Sequence, residues 1–280
     1  MAAIELNNLS IGYTHNRLQQ PVMGVIDATL ERGELVALIG ANGAGKSTLL
    51  RTLSAFQQPL SGSITYPDGK SNSHTASELS TQLAVVLTGN GNIQNLTVRE
   101  VVAMGRSPYT NFLGHLRKHD EEIIAEAMNM VGVTHLAERR VETLSDGERQ
   151  KAMIAKALAQ QTPVIMLDEP TAFLDFNSRV QLFRLLQRLA HDTGKAILVS
   201  THDLELVHQF DHRVVTIENG KIISDVPAGY KTEAAPHRPE ALAKPEAAQE
   251  PAEEETATVA DEENEAMTQE NITEEVGENG

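Results

Sequence analysis

Cysteine and tryptophan are both absent from this 280-residue sequence. Without thiols, disulfides and thiolate-ligated metal centres are excluded, so stability must come from packing, for which 40% apolar residues suffice. Aromatic residues make up only 4% and no basic block interleaves with them. The stacking platforms and phosphate-neutralising patches of nucleic-acid binders are therefore missing. No window approaches the roughly 20 consecutive apolar residues of a spanning helix. Met1 to Ser10 has neither the basic stretch nor the apolar run of a secretory signal. Any membrane role is expected to run through partners.

The net charge of -16 is unevenly spread: residues 233–280 hold 15 acidic side chains against Arg238 and Lys244, leaving only -3 for the remainder. That segment is rich in Glu, Ala, Pro and Thr and poor in large apolar residues. It cannot bury enough surface to offset its ordering entropy and reads as a disordered acidic tail.

Upstream, four short apolar runs (Leu35–Ile39, Ala84–Leu87, Val164–Leu167 and Ala196–Val199) have the length of buried parallel strands. Helix-period segments alternate with them: Glu121–Val131 before Gly132, Arg149–Ala159, and Ser178–Ala190 before Gly194. Alternation of this kind indicates an α/β fold. The residues just after the runs are chemically distinctive: a glycine-rich loop after Ile39, Thr88 after Leu87, Asp168 and Glu169 after Leu167, and Ser200, Thr201 and His202 after Val199. Open parallel sheets bind ligands at those carboxyl ends.

Gly40-Ala41-Asn42-Gly43-Ala44-Gly45-Lys46-Ser47 matches G-x-x-x-x-G-K-[ST] between an apolar strand and an amphipathic helix. Glycines let successive backbone N–H groups converge on one anion. The helix terminus adds partial positive charge, and Lys46 supplies a full charge to the β and γ phosphates of ATP. Ser47 is expected to hold Mg²⁺, with Thr48 near the α phosphate. The adjacent carboxylates ending the Val164–Leu167 run are expected to point apart. Asp168 is assigned to the metal's hydration shell and Glu169 to general-base or water-positioning work. His202, at a neighbouring strand end, is placed within reach of the γ phosphate. His208 and His212 have i, i+4 spacing but no accompanying carboxylate pattern, and read as surface residues rather than metal ligands.

Leu144-Ser145-Asp146-Gly147-Glu148 opens the helix Arg149–Ala159. Ser145 and Glu148 fit a capping box, and the same helix start can bind an anion. One chain with two anion sites for one nucleotide suggests two chains sharing each ATP.

The phosphate loop, Leu144–Glu148, the strand carboxylates, Leu174-Asp175 and His202 occur in an order that resembles ABC transporter ATPases, over about residues 2–230. The resemblance implies a P-loop cassette with a mostly parallel core sheet, an N-terminal antiparallel β subdomain, and a helical subdomain inserted at about 92–146. It further implies a head-to-tail homodimer in which Ser145 and Gly147 of one chain face the ATP held by Lys46 of the other. By the same resemblance Tyr13 stacks on adenine and Asp175 links the two sites. The segment Thr97–Tyr109 resembles importers of iron–siderophore, haem or cobalamin complexes. That kinship implies permease partners, indirectly a substrate-binding protein, and a peripheral place on the cytoplasmic face of a bacterial inner membrane. Two departures stand out: Thr88 where the family usually places a metal-binding glutamine, and Asp146 and Glu148 where it usually has glycine and glutamine. A cassette that closes on ATP as a switch with weak hydrolysis, and a non-transport ABC ATPase, are the alternative readings.

Overall fold

A strand that is apolar at every position must be covered on both faces, because its side chains alternate. The computed structural model, which describes residues 2–16, 18–71, 74–87, 93–111 and 114–229, shows what covers them. The chain begins with β1 (Ala2–His15), β2 (Leu18–Glu31), β3 (Leu35–Ile39), α1 (Lys46–Leu53), β4 (Ser61–Thr65), α2 (Ala76–Leu79) and β5 (Leu83–Val86). There follow α3 (Val98–Ala103), a 3₁₀ turn over Met104–Tyr109, α4 (Lys118–Val131) and α5 (Asp146–Ala159). The remainder is β6 (Val164–Leu167), α6 (Phe176–Thr193), β7 (Ala196–Thr201), α7 (Leu204–Val207), β8 (Arg213–Glu218) and β9 (Lys221–Val226). Thr88 and the acidic segment 233–280 lie outside the described residues.

The sheet order is β5-β6-β7-β3-β8-β9, parallel except for the antiparallel β8–β9 pair. A second, antiparallel sheet has the order β2-β1-β4. Alternate residues of the central strands divide between two cores. Leu35, Ala37, Ile39, Ile165, Leu167, Ile197 and Val199 pack with α3, α4, α5 and α6. Val36, Leu38, Val164, Met166, Ala196 and Leu198 pack with α1 and the antiparallel sheet. The architecture is thus the expected α/β cassette, with an antiparallel N-terminal sheet and a mostly parallel core.

The apolar runs become β3, β5, β6 and β7, with β5 displaced by one residue to Leu83–Val86 and β7 extended to Thr201. The helices begin earlier than hydrophobic periodicity implied, because their caps are polar. Ser145 caps α5 through its hydroxyl, and Asp175 caps α6 by accepting from the Ser178 N–H. Gly132 and Gly194 close α4 and α6 at φ values of 77° and 63°.

Between α3 and α5 a buried guanidinium does the tying. Arg106 donates from Nε to Asp120 of α4 at 2.9 Å and from Nη1 to the Ala159 carbonyl at 2.8 Å and Gln161 Oε1 at 3.0 Å. Its neighbour Gly105 lies so close to α5 that a Cβ would stand 2.2 Å from the Lys156 carbonyl oxygen. Gln160 then donates to the carbonyls of Ser80 and Leu83, fastening the same end of α5 to the start of β5.

His212 departs from the surface placement expected of it. It is 5% exposed, packed against Phe183 and Phe210, and neither ring nitrogen has a hydrogen-bond partner. Burial pushes its pKa down to about 4, since a charged imidazole would be stranded among rings. The unfolded chain therefore takes up this proton near the ordinary pH of 6.5, before the folded chain does. Stability from this residue is complete above that pH, declines as pH falls toward 4, and is constant below. In urea unfolding, His212→Phe is expected to gain roughly 3 kcal/mol relative to the parent between pH 7 and 4; parallel pH profiles would contradict this.

Candidate functional site

Register brings the chemistry to one edge. Ile39 of β3 lies opposite Thr201 of β7, Leu167 of β6 opposite Val199, and Val86 of β5 opposite Leu167. The loop from Gly40, the carboxylates after Leu167, and Thr201-His202 therefore leave the sheet side by side. They meet at a cleft of about 510 Å³ lined by Tyr13, Asn42, Gly43, Gly45, Lys46, Ser47, Thr48, Glu169 and His202.

The loop's shape depends on its glycines. At Gly40 a Cβ would fall 2.5 Å from the Ile217 carbonyl oxygen, and Gly45 has a φ of 109° just before α1. Gly45 offers no capping side chain, whereas α2, α3, α5, α6 and α7 are each capped by a Thr, Ser or Asp oxygen. The first N–H groups of α1 are thus left to an anion. Lys46 Nζ, on a side chain 5% exposed, donates to the Gly40 carbonyl at 2.8 Å and the Ala41 carbonyl at 3.3 Å, and stands 3.5 Å from Glu169 Oε1. A buried ammonium at the mouth of a glycine cradle fits a polyphosphate, which would add negative charge where two carbonyl dipoles and one carboxylate now compensate it.

Asp168 and Glu169 do point apart, though strand alternation is not the cause. β6 ends at Leu167, and Glu169 takes a left-handed φ of 47°, a conformation costly for a side-chain-bearing residue and characteristic of functional turns. Asp168 Oδ1 accepts from Ser47 Oγ at 3.1 Å and from Ser200 Oγ at 2.7 Å. The two hard oxygens of Ser47 and Asp168 suit Mg²⁺, which takes one or two protein ligands beside phosphate and water. Glu169 Oε2 lies 2.7 Å from His202 Nδ1, so its carboxylate spans the gap between Lys46 and His202. Tyr13, 47% exposed, places its hydroxyl 3.1 Å from Thr48 Oγ1.

Ser200, noted in the sequence only as one of the residues after Val199, was given no role there. Its hydroxyl donates to the Asp168 carboxylate and accepts the Glu169 backbone N–H at 2.9 Å, so one buried group holds the first carboxylate and the backbone that carries the second. The available signal was a serine inside an apolar strand end, one residue from Thr201. Val22 and Ala172, which also line the cleft, carry no chemical signature at all.

Ser145, Gly147 and Asp175 line no part of this cleft. They form a second group at the starts of α5 and α6. Ser178 Oγ donates to Asp175 Oδ2 at 2.6 Å and lies 3.8 Å from where a Gly147 Cβ would be. Ser145 sits in a full capping box with Glu148. Among the described residues no helix is long and apolar enough to cross a membrane.

Residues 23–172 match the ABC transporter family. An uncharacterized ABC transporter ATP-binding protein of Methanocaldococcus jannaschii is 41% identical over 79% of this chain and 75% of its own. The ferric enterobactin transport ATP-binding protein of Escherichia coli is 36% identical over 80% of this chain and 81% of its own. Among solved structures, the dimeric, post-hydrolysis ATP-binding cassette MJ0796 bound to ADP and Pi superposes with a TM-score of 0.67 at 25% identity, over 80% of this chain and 98% of that one.

The role of Ser200 is testable. Ser200→Ala removes one hydrogen bond to each carboxylate residue and is expected to lower ATP turnover about tenfold while nucleotide affinity changes little. Equal turnover of variant and parent in a phosphate-release assay would show that the two carboxylates orient themselves.

Proposed function

The chain belongs to the ABC transporter family, and from that premise we propose that it is the ATPase subunit of an importer for iron–siderophore or related iron chelates, or for cobalamin. Cassettes of this family dimerise and pair with permease subunits. In our reading this one forms a homodimer beneath two permease subunits, on the cytoplasmic face of a bacterial inner membrane. A separate binding protein delivers cargo to the permease.

The observation that carries the hydrolytic part is Glu169, poised between Lys46 and His202. A γ phosphate entering the glycine cradle draws the Lys46 ammonium to itself and frees Glu169 Oε1. The carboxylate, still bonded to His202, then has one oxygen available to orient and deprotonate a water for in-line attack. His202, with its side chain 55% exposed at the rim, stabilises charge on the transferring group. Mg²⁺ would be held by Ser47 and Asp168 and would neutralise part of the phosphate charge. Tyr13 offers a ring face to adenine and is steadied there by Thr48. The glycine cradle and the buried Lys46 ammonium fit a triphosphate, and cargo would pass through the permease instead. The kinship to a ferric enterobactin system supports the chelate class.

The alternative of a switch with weak hydrolysis would leave Glu169 without a task. Glu169→Gln keeps the shape and the His202 contact but removes the base. It is expected to retain ATP binding and to slow phosphate release about 10² to 10⁴-fold in the permease complex. Turnover matching the parent would remove the base role. Failure of the parent complex in proteoliposomes to accumulate any ferric chelate or cobalamin on ATP addition would overturn the importer assignment.

A further inference from the structure

A serine hydroxyl has one proton to give. That of Ser145 is already given: Oγ donates to Glu148 Oε2 at 2.8 Å, while accepting from the Glu148 N–H at 3.3 Å. The same carboxylate oxygen accepts the Ser145 backbone N–H at 2.9 Å. Glu148 thus takes both donors that Ser145 could offer to an anion approaching the start of α5. The Ser145 N–H holds the Glu148 carboxyl below its ordinary range, so it competes with phosphate as a full negative charge. Asp146 adds a second carboxylate to the first turn, but Arg149 Nη1 stands 3.5 Å from it.

We propose that Glu148 is a positioning residue that withholds the Ser145 hydroxyl from nucleotide and thereby sets the ATP concentration at which two chains close. This rests on the reading that Ser145 of one chain caps ATP held by the other. Closure then needs the hydroxyl proton to exchange one anionic acceptor, the carboxylate, for another, the γ phosphate. The first turn carries a negative charge that opposes the incoming one. A neutral amide of the same shape accepts the proton more weakly and brings no repulsion.

Identical boxes at Thr75–Glu78 and Thr97–Glu100 show the hydroxyl, the backbone N–H and the carboxylate joined in the same way. The motif as such is therefore a helix-starting device, and these copies are internal controls. Only at Ser145 would the device also face a nucleotide.

The test is steady-state ATP titration of the full chain in its permease complex, with Glu148→Gln, Ser145→Ala, the double variant and Glu100→Gln. Glu148→Gln is expected to lower the half-saturating ATP concentration about fivefold, the equilibrium worth of one such cap, with kcat moving less. The gain should vanish when Ser145 is already alanine, and Glu100→Gln should show none. A Glu148→Gln half-saturation equal to or above the parent's overturns the inference, as does a gain that persists without the Ser145 hydroxyl. Ser145→Ala alone separates the two readings. Unimpaired turnover there would sink the shared-nucleotide reading and this inference with it, whereas impaired Ser145→Ala beside an unresponsive Glu148→Gln would sink only the role of Glu148.

Discussion

Everything at the cleft depends on the in-register burial of β3, β6 and β7 between two cores. Each strand presents alternate side chains to the helices on one face and to α1 with the antiparallel sheet on the other. A slip of one residue would exchange the two sets and place large groups where small ones fit. Since slippage is blocked, the strands end together. Gly40, Asp168 and Thr201 are delivered to one edge as a consequence of packing far from the chemistry. Hydrogen bonds then refine what register has placed: Ser200 holds the Asp168 carboxylate and the Glu169 backbone N–H, and the left-handed turn at Glu169 sends the second carboxylate toward Lys46 and His202.

The cleft's main parts were legible because their chemistry demands fixed residue types at fixed spacing. Gly40 to Ser47 announced a phosphate cradle, and the carboxylates after Leu167 announced their place through the apolar run before them. The antiparallel hairpins β1–β2 and β8–β9 were not legible in the residue pattern, and the N-terminal one was expected only through the family resemblance. Their residues are buried on one side and broken by register shifts, so no continuous apolar run marks them. The role of Ser200 was not legible for a different reason: a serine just past an apolar run has no motif of its own, and its bonds to Asp168 and Glu169 come from a different strand end. His212 misled because its spacing from His208 evokes a surface helix. The short helix there ends at Val207, and the chain then turns inward to the Phe183–Phe210 pair.

The two ends of α5 have different duties. At its start, exposed Ser145 and half-buried Gly147 stand by the Asp175 cap of α6. At its close, Gly105 packs against the helix backbone while Arg106 and Gln160 bind the last carbonyls and the edge of β5. Among the described residues, the side-chain hydrogen bonds of its start stay within Leu144–Arg149.

Because Ala152–Ala155 are buried in one core with α3 and α4, any tilt of α5 would have to be shared by all three helices, with residues 159–161 as its fulcrum. Fourteen residues of helix give an arm of about 20 Å, so a rocking of only about 10° about the fulcrum swings the tip by roughly 4 Å. That throw exceeds the reach of a hydrogen bond. A modest tilt imposed on α3 and α4 from outside would therefore suffice to engage or disengage Ser145, with no helix needing to melt or re-form.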